Sequence, residues 1–147
     1  MSAQPEMADD PLFLAIDHVG VAVADLDEAI AYYAATFGMS VVHQEFNEEQ
    51  GVREAMLGVG DSGSYVQLLA PLNAESPIGK FLDKWGPGLQ QVAYRVADVR
   101  RAADTLRSRG VELLYDEPCA GTAGALINFI HPKDAGGVLV ELVEPAR

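Results

Sequence analysis

The chain has 147 residues, enough for one ordinary domain or for two small modules. Acidic residues outnumber basic ones by 22 to 10, and the formal net charge of -12 argues against general binding to nucleic acid or to an anionic membrane surface. Cys119 is the only cysteine in the sequence, so no disulfide framework is present and a reducing cytoplasm is the expected location.

The first residues of the chain are polar and acidic. They lack the apolar segment of a signal peptide, so we predict that residues 1–12 form a flexible tail. No apolar run approaches the roughly 18–20 residues that a membrane span requires. The remaining residues, 13–147, are predicted to form a single domain.

The first half of that domain predicts a strand, a helix and three further strands. "FLAIDHVGVAV" is typical of a strand, and "DLDEAIAYYAATFG" of a helix that Asp25 or Asp27 caps and Gly38 ends. "MSVVHQEFN" predicts the next strand. "GVREAMLGVG" and "SYVQLLAP" predict a strand pair around the turn "GDSGS".

After a short predicted helix, "SPIGKFLDKWG", the same order begins again. "LQQVAYRV" predicts a strand, "DVRRAADTLRSRG" a helix and "VELLYDEP" a strand, and "GALINFIHP" and "GGVLVELVEP" predict a closing pair. The sequence therefore predicts an α+β fold of two tandem βαβββ modules, about 13–75 and 88–147. We expect the modules to pair pseudo-symmetrically around a shared metal-binding cleft.

Polar side chains fall at matching places in the two modules. His18 and Gln91 are 91 - 18 = 73 positions apart, and Gln67 and Glu141 are 141 - 67 = 74 positions apart. Side chains alternate along a strand, so all four are predicted to face the cleft, whereas Gln90 has the opposite parity and should face away. Gln67 and Glu141 interrupt apolar runs, where a polar group without a partner costs free energy.

One imidazole, one carboxylate and two amide oxygens can bind a divalent metal. Each residue taken alone is more often a hydrogen-bonded structural residue, and it is their joint placement that favours a metal site. Nitrogen and oxygen donors without a thiolate suit octahedral Co²⁺, our first expectation in vitro, or Mn²⁺, Ni²⁺, Fe²⁺ or Zn²⁺. Four protein ligands would leave two positions for a chelating substrate, whose carbonyl the metal would polarise.

Longer motifs carry a family resemblance. The duplicated pattern with its four polar positions resembles the vicinal-oxygen-chelate superfamily, which includes glyoxalases, bleomycin-resistance proteins and dioxygenases. "NEEQGVREAML" and "INFIHPKDAGGVLVEL" are similar to the methylmalonyl-CoA epimerase family, and the resemblance runs from Phe13 to Glu144. It implies that His18, Gln67 and Glu141 are metal ligands. The chain departs from the family pattern "GLHHxAxxV" at Gln91, where the family usually has a ligand histidine.

The resemblance also implies a reaction and a base. The family interconverts (2R)- and (2S)-methylmalonyl-CoA by removing and returning a proton. Glu54 matches the family's catalytic glutamate, and its strand parity places it with Val52 and Met56 toward the cleft. Without the resemblance, an exposed strand carboxylate would be the favoured interpretation of Glu54. Glu141 is the candidate for the second acid or base, and a metal-bound water and His18 are the alternatives.

Three further residues are candidates for binding the substrate. Asn128 lies 128 - 54 = 74 positions after Glu54, as its pseudo-symmetric counterpart, and could hold the substrate carboxylate. Arg95 and Lys133 could form a local basic patch for the anionic CoA tail. An acyl-CoA thioester is thus the expected small-molecule partner, without nucleic acid or membrane, and the resemblance implies a homodimer.

Two other classes of function remain open from the residues. A different metal enzyme of the superfamily, such as a lyase acting on a thiol adduct or an extradiol dioxygenase, could use the same fold. A dioxygenase would need two histidines and one carboxylate, and the sequence offers one suitable histidine. A metal-free, drug-sequestering protein would favour an aromatic-rich cleft, and aromatic residues make up only 7% of this chain.

Overall fold

The computed structural model describes residues 11–147, so residues 1–10 of the predicted tail lie outside the described residues. Leu12, placed in the tail by prediction, packs instead against the core of the second module, and Phe13 stacks on Tyr94 with ring centres 4.5 Å apart. The strands are β1 (Ala15–Ala22), β2 (Val41–Asn47), β3 (Val52–Gly58), β4 (Tyr65–Pro71), β5 (Gly88–Arg95), β6 (Cys119–Ala120), β7 (Leu126–Ile130) and β8 (Leu139–Glu144). The helices are α1 (Leu26–Phe37), α2 (Pro77–Trp85) and α3 (Val99–Ser108).

The strands form one mixed sheet in the order β2-β3-β4-β1-β5-β8-β7-β6. In each half, the first strand pairs in parallel with the last strand, β1 with β4 and β5 with β8. The two halves join where β1 pairs with β5 in antiparallel orientation. This arrangement confirms the predicted α+β fold of two βαβββ modules related by a pseudo-two-fold axis, with α2 as the connector.

Each module has its own apolar core between its helix and one face of the sheet. Helix α1 covers a buried cluster that includes Leu57 and Leu68, and α3 covers one that includes Val96 and Leu142. Asp25 caps α1 by accepting a hydrogen bond from the N–H of Glu28, as one of the two predicted caps. Because the helices bury this face, the opposite face of the sheet is left to line the cleft. Within residues 11–147, no helix is both long and apolar enough to span a membrane.

The strand predicted at "VELLYDEP" is wrong. That segment makes only an isolated bridge between Leu113 and Ile130, and the short strand of this position is Cys119–Ala120. The backbone of Tyr115 bonds the side chain of Asn128 instead of a neighbouring strand: its N–H donates to Oδ1 at 3.2 Å and its carbonyl accepts from Nδ2 at 3.0 Å. The side chain of Asn128 thus bonds the backbone groups that a neighbouring strand would otherwise bond, and regular β-pairing ends at this point.

Two β-bulges interrupt the central strand pair at equivalent positions. Asp17 is an extra residue in β1, and Gln90 is an extra residue in β5. The two are 90 - 17 = 73 positions apart, the same offset as His18 and Gln91. The pseudo-symmetry therefore extends to the irregularities of the strands, and each bulge lies immediately before a candidate site residue.

Candidate active site

The four side chains predicted to share a site do come together. His18, Gln67, Gln91 and Glu141 are all buried, with at most 6% of each residue exposed. Oε1 of Glu141 lies 3.2 Å from Nε2 of His18 and accepts a short hydrogen bond of 2.5 Å from Nε2 of Gln91. The same amide nitrogen of Gln91 lies 3.3 Å from Oε1 of Gln67. One imidazole, one carboxylate and two amides therefore meet at one point.

The strand register explains this convergence. Gly20 of β1 stands beside Gln67 of β4 on one side and beside Gln91 of β5 on the other. A Cβ atom on residue 20 would lie 2.6 Å from Cγ of Gln91, a distance that real Cβ contacts essentially never show. Because glycine has no Cβ atom, the side chain of Gln91 can lie over the centre of the sheet at this position.

Asp17 orients the imidazole of His18. Oδ2 of Asp17 lies 2.7 Å from Nδ1 of His18, and Oδ1 accepts a 2.9 Å hydrogen bond from Nε of Arg95. The hydrogen bond with Asp17 occupies Nδ1, so Nε2 points to the centre of the site. Carboxylate–histidine pairs of metal centres have the same arrangement. Burial opposes a charged imidazole, but the hydrogen bonds and charges of Asp17 and Glu141 outweigh it and raise the pKa of His18 to about 9.

The prediction that Arg95 contacts substrate does not fit its surroundings. Its guanidinium donates to Asp17 and also, over 2.7 Å, to the carbonyl of Gly63. Arg95 therefore stabilises the carboxylate of Asp17, which in turn orients His18. The extra residue in β1 puts the carboxylate of Asp17 within reach of Arg95.

The chemistry of this donor set fits a divalent cation. Within residues 11–147, no group of three or more His, Cys, Asp and Glu side chains is arranged to hold a metal, so any such site must use the amides. The donors that now satisfy Glu141 are the imidazole and the amide nitrogen of Gln91. A cation would replace the protons that His18 and Gln91 now direct at Glu141. His18 would then be neutral, and the amide of Gln91 would turn by half a rotation to present Oε1.

Glu54 lies next to this set, as predicted. It is 3% exposed, its Oε2 accepts a 3.0 Å hydrogen bond from Nε2 of Gln67, and its Oε1 accepts one of 2.5 Å from the hydroxyl of Thr122. Burial, together with the negative charges of Glu45 and Glu141, raises the pKa of Glu54 to about 7, against the hydrogen bond of Thr122, which lowers it. A carboxyl group with this pKa can accept and return a proton near neutral pH.

Sequence reasoning missed Thr122. The residue begins a 3₁₀ turn, Thr122–Gly124, and its hydroxyl also accepts a 2.9 Å hydrogen bond from Nε2 of Gln67. The next residue, Ala123, is in the left-handed region with φ 54°, and its N–H donates to Oε1 of Glu45. The loop shows no periodicity that would mark Thr122, and its role follows only from the approach of this turn to the first module.

The structure gives Asn128 a different place from the one predicted. Asn128 is fully buried, and its side chain is occupied by the backbone of Tyr115 and Phe129. The reason lies in the hairpin length: Met56 pairs with Gln67 across 11 positions, and Phe129 pairs with Glu141 across 12. The second hairpin is one residue longer, so the counterpart of Glu54 is residue 127, an isoleucine, and Asn128 points to the other face.

Lys133 is also placed away from the site. Its ammonium group lies 3.4 Å from Glu112, on the exposed surface, and it does not line the cavity that contains Glu54. Neither Lys133 nor Arg95 therefore contributes positive charge to the lining of this cavity.

The cavity beside Glu54 combines polar and apolar walls. Gln67, Gln91, Glu141 and Thr122 line it together with apolar side chains, among them Leu69, Ile78, Leu114, Ile127, Phe129 and Leu139. Gln90 lines it too, contrary to the prediction that Gln90 faces away. The bulge in β5 turns Gln90 toward the cavity, because an extra residue breaks the alternation of side chains.

Comparisons with known proteins agree with this architecture. Residues 17–129 match the glyoxalase/bleomycin resistance protein/dioxygenase superfamily. The chain is similar to a crystal structure of methylmalonyl-CoA epimerase from Mycobacterium tuberculosis, with 56% identity, a TM-score of 0.92, and coverage of 97% of this chain and 95% of that one. A Streptomyces coelicolor methylmalonyl-CoA epimerase in complex with 2-nitronate-propionyl-CoA shares 48% identity, with a TM-score of 0.89 and coverage of 92% and 99%.

A curated relative extends the comparison. The ethylmalonyl-CoA/methylmalonyl-CoA epimerase of Cereibacter sphaeroides is 37% identical over 130 residues, which cover 86% of this chain and 95% of the relative. The chain therefore belongs to the glyoxalase/bleomycin resistance protein/dioxygenase superfamily and, within it, to the methylmalonyl-CoA epimerases.

Proposed function

We propose that this protein interconverts (2R)- and (2S)-methylmalonyl-CoA by moving the proton on the carbon between the thioester and the carboxylate. The observation that carries the proposal is the buried Glu54, whose pKa is raised to about 7, beside four converging polar side chains. The epimerase names of its relatives support the same reaction. A sequestering protein would have no use for a buried carboxyl group that titrates near neutrality.

Glu54 is the base on one face of the substrate. Its carboxylate removes the α-proton, and its burial, with 3% of the residue exposed, limits its contact with bulk water. The hydroxyl of Thr122 and the amide of Gln67 fix the carboxylate from both sides, so no side-chain reorganisation is needed when the proton moves.

Glu141 is our candidate for the proton-transfer group on the opposite face, a role that it can fill only by partly releasing the metal that it would also bind. It lines the same cavity as Glu54, and both of its hydrogen bonds in the structure end on Oε1, so Oε2 can exchange a proton with the substrate. The position equivalent to Glu54 in the second module is the apolar Ile127, which cannot serve. The two proton-transfer groups therefore come from non-equivalent positions of the two modules.

We further propose that His18, Gln67, Gln91 and Glu141 hold a divalent metal, with Co²⁺ as the first ion to test and Mn²⁺, Ni²⁺, Fe²⁺ and Zn²⁺ after it. When bound, such an ion stabilises the negative charge that develops on the thioester oxygen as the proton leaves. We also propose that the protein works in a reducing cytosol as a homodimer.

The direct test is deuterium exchange. The purified protein, loaded with Co²⁺, is incubated in D₂O with methylmalonyl-CoA, and the α-deuterium content of both epimers is followed by mass spectrometry with chiral separation. Incorporation that proceeds with inversion supports the proposed function. No incorporation with any of the five ions would overturn it.

Gln91 provides a prediction about the ligand set. Gln91→Ala is expected to lower metal occupancy by at least about tenfold, because one of four protein ligands is lost, an effect in the range seen when supporting groups of metal sites are removed. Gln91→His restores a donor and should retain the metal. Metal analysis after dialysis against a weak chelator measures both variants, and Gln91→Ala protein with full occupancy would show that Gln91 is not a ligand.

Thr122 provides a prediction about pH. The reaction needs Glu54 ionised, so the rate should fall as the pH drops below about 7, and the charge of a bound metal shifts this limb further down. The hydroxyl of Thr122 lowers the pKa of Glu54, so Thr122→Val should move the limb to higher pH, and Thr122→Ser should leave it near its original position. Profiles of kcat/KM against pH measure the limb, and a profile unmoved in Thr122→Val would contradict the role of the hydroxyl.

A further inference from the structure

Glu45 stands directly opposite the candidate base. The register of β2 and β3 pairs Glu45 with Glu54, so the two carboxyl groups lie on the same face of the sheet. Like charges at directly opposed positions of neighbouring strands destabilise a sheet, and the charge of Glu45 is one of the causes that raise the pKa of Glu54. A glutamate at this position therefore needs a compensating partner.

The compensating partner is the turn Thr122–Gly124. Two consecutive residues of this turn donate to the two opposed carboxyl groups: the hydroxyl of Thr122 to Oε1 of Glu54, and the N–H of Ala123 to Oε1 of Glu45. His43 lies on the same strand face as Glu45, and its Nε2 is 2.9 Å from the same oxygen of Glu45. The opposed carboxyl groups of the first module thus bind one turn of the second module at two neighbouring residues.

The shape of the turn depends on such an anchor. Within residues 11–147, Ala123 is the one residue other than glycine that has a positive φ, at 54°. This left-handed region costs free energy for a residue that carries a Cβ atom. The charge-assisted hydrogen bond between the N–H of Ala123 and Glu45 offsets part of that cost. It therefore favours the backbone conformation that points the hydroxyl of Thr122 at Glu54.

The place of the turn in the fold makes a side-chain anchor necessary. Strand β6, which precedes the turn, and strand β2, which carries Glu45, lie at opposite edges of the sheet and do not pair. The turn therefore reaches the first module through side-chain contacts and not through a strand ladder. Because Glu54 belongs to the first module and Thr122 to the second, movement at this junction changes the distance between them.

We propose that Glu45 is a positioning residue for the reaction: by accepting the N–H of Ala123, it keeps the hydroxyl of Thr122 against the carboxylate of Glu54. The consequence for catalysis rests on the proposed function. Glu45 does not line the cavity that contains Glu54, so it acts on the base through the turn and not on the substrate. Its loss should therefore lower kcat with little change in KM.

The first test compares two replacements of Glu45 in the α-proton exchange assay with methylmalonyl-CoA. Glu45→Ala removes the acceptor, and we expect kcat to fall about 5–20-fold, within the cost of up to about 10²-fold that follows a misplacement of about 1 Å. Glu45→Gln keeps an oxygen for the N–H of Ala123 and should retain most of the wild-type kcat. The assays run at about pH 8, above the pKa of Glu54, so that the loss of a neighbouring charge changes its ionised fraction little.

A double variant separates this mechanism from a general structural effect. If Glu45 acts through the hydroxyl of Thr122, Glu45→Ala should lower kcat no further in a Thr122→Val protein, because the hydroxyl that it positions is already absent. Two changes that act independently would instead multiply their effects on kcat. A further drop of full size when Glu45→Ala is added to Thr122→Val would overturn the proposal.

An independent measurement tests the anchor without reference to activity. The amide hydrogen of Ala123, followed by NMR, should exchange with D₂O faster in Glu45→Ala than in the wild type, because its acceptor is lost. Gln44→Ala makes a matching truncation at the neighbouring, exposed position of β2 and should change neither this exchange nor kcat.

Three results would count against the role of Glu45: an unchanged kcat in Glu45→Ala, an unchanged Ala123 exchange in the same variant, or a Glu45→Gln protein as slow as Glu45→Ala. A wild type without α-proton exchange would refute the proposed function and the catalytic consequence with it. The Ala123 measurement would still decide whether Glu45 anchors the turn.

Discussion

Replacing Glu54 with glutamine is expected to slow epimerisation of methylmalonyl-CoA by about 10²–10⁴-fold, the usual contribution of a general base. Glutamine keeps the length of the side chain and one oxygen to accept the hydrogen bond of Thr122, but it cannot accept the α-proton. The metal content should be unchanged, because Glu54 accepts hydrogen bonds from Gln67 and Thr122 and is not one of the four candidate metal ligands. Turnover and metal analysis on the same preparation measure both effects.

The two faces of the substrate allow a finer test of the same variant. If Glu54 serves one face and Glu141 the other, Glu54→Gln should still exchange the α-proton of one epimer with D₂O while failing to invert it. Glu48→Gln removes an equal charge from an exposed loop of the first module and should behave as the wild type. Undiminished turnover in Glu54→Gln would remove Glu54 from the mechanism and leave Glu141 as the candidate base.

The pattern of the sequence was sufficient to predict the fold and the four converging residues. The offset of 73 or 74 positions links His18 to Gln91 and Gln67 to Glu141, and the structure places these pairs on the four central strands. The bulges at Asp17 and Gln90 lie at matching positions of the two modules, so they leave the offset between His18 and Gln91 unchanged. The polar residues also stand out within their apolar runs, and this contrast made the four positions recognisable.

The wrong predictions for Arg95, Gln90 and Asn128 share one physical cause, the insertion of single residues. The bulges put Asp17 beside His18 and turn Gln90 into the cavity, and the longer second hairpin turns Asn128 away from it. One extra residue reverses every later side chain until another compensates, and nothing in the composition of these strands marks the insertion. Thr122 was missed for a different reason, since it reaches Glu54 from a turn 68 positions away in the chain.

Removal of the metal is expected to slow α-proton exchange severely while leaving the fold intact. The four buried apolar clusters contain none of the four candidate ligands, so the core does not depend on the ion. In the stripped protein, Glu141 keeps its hydrogen bonds to His18 and Gln91, and the imidazole is protonated at neutral pH because its pKa is raised to about 9. The buried carboxylate of Glu141 therefore has a positively charged partner and a hydrogen-bond donor even without a cation.

Exchange should nevertheless fall by about 10²–10⁴-fold, since the ion contributes several kcal/mol of charge stabilisation and each 1.36 kcal/mol is tenfold in rate. Treatment with a chelator, followed by circular dichroism, thermal unfolding and the exchange assay, measures fold and activity together. Adding Co²⁺ should restore the rate and release a proton from His18, so apparent affinity should weaken as the pH falls below about 9. Full activity after complete stripping would show that His18, Gln67, Gln91 and Glu141 form a hydrogen-bonded catalytic network that needs no ion.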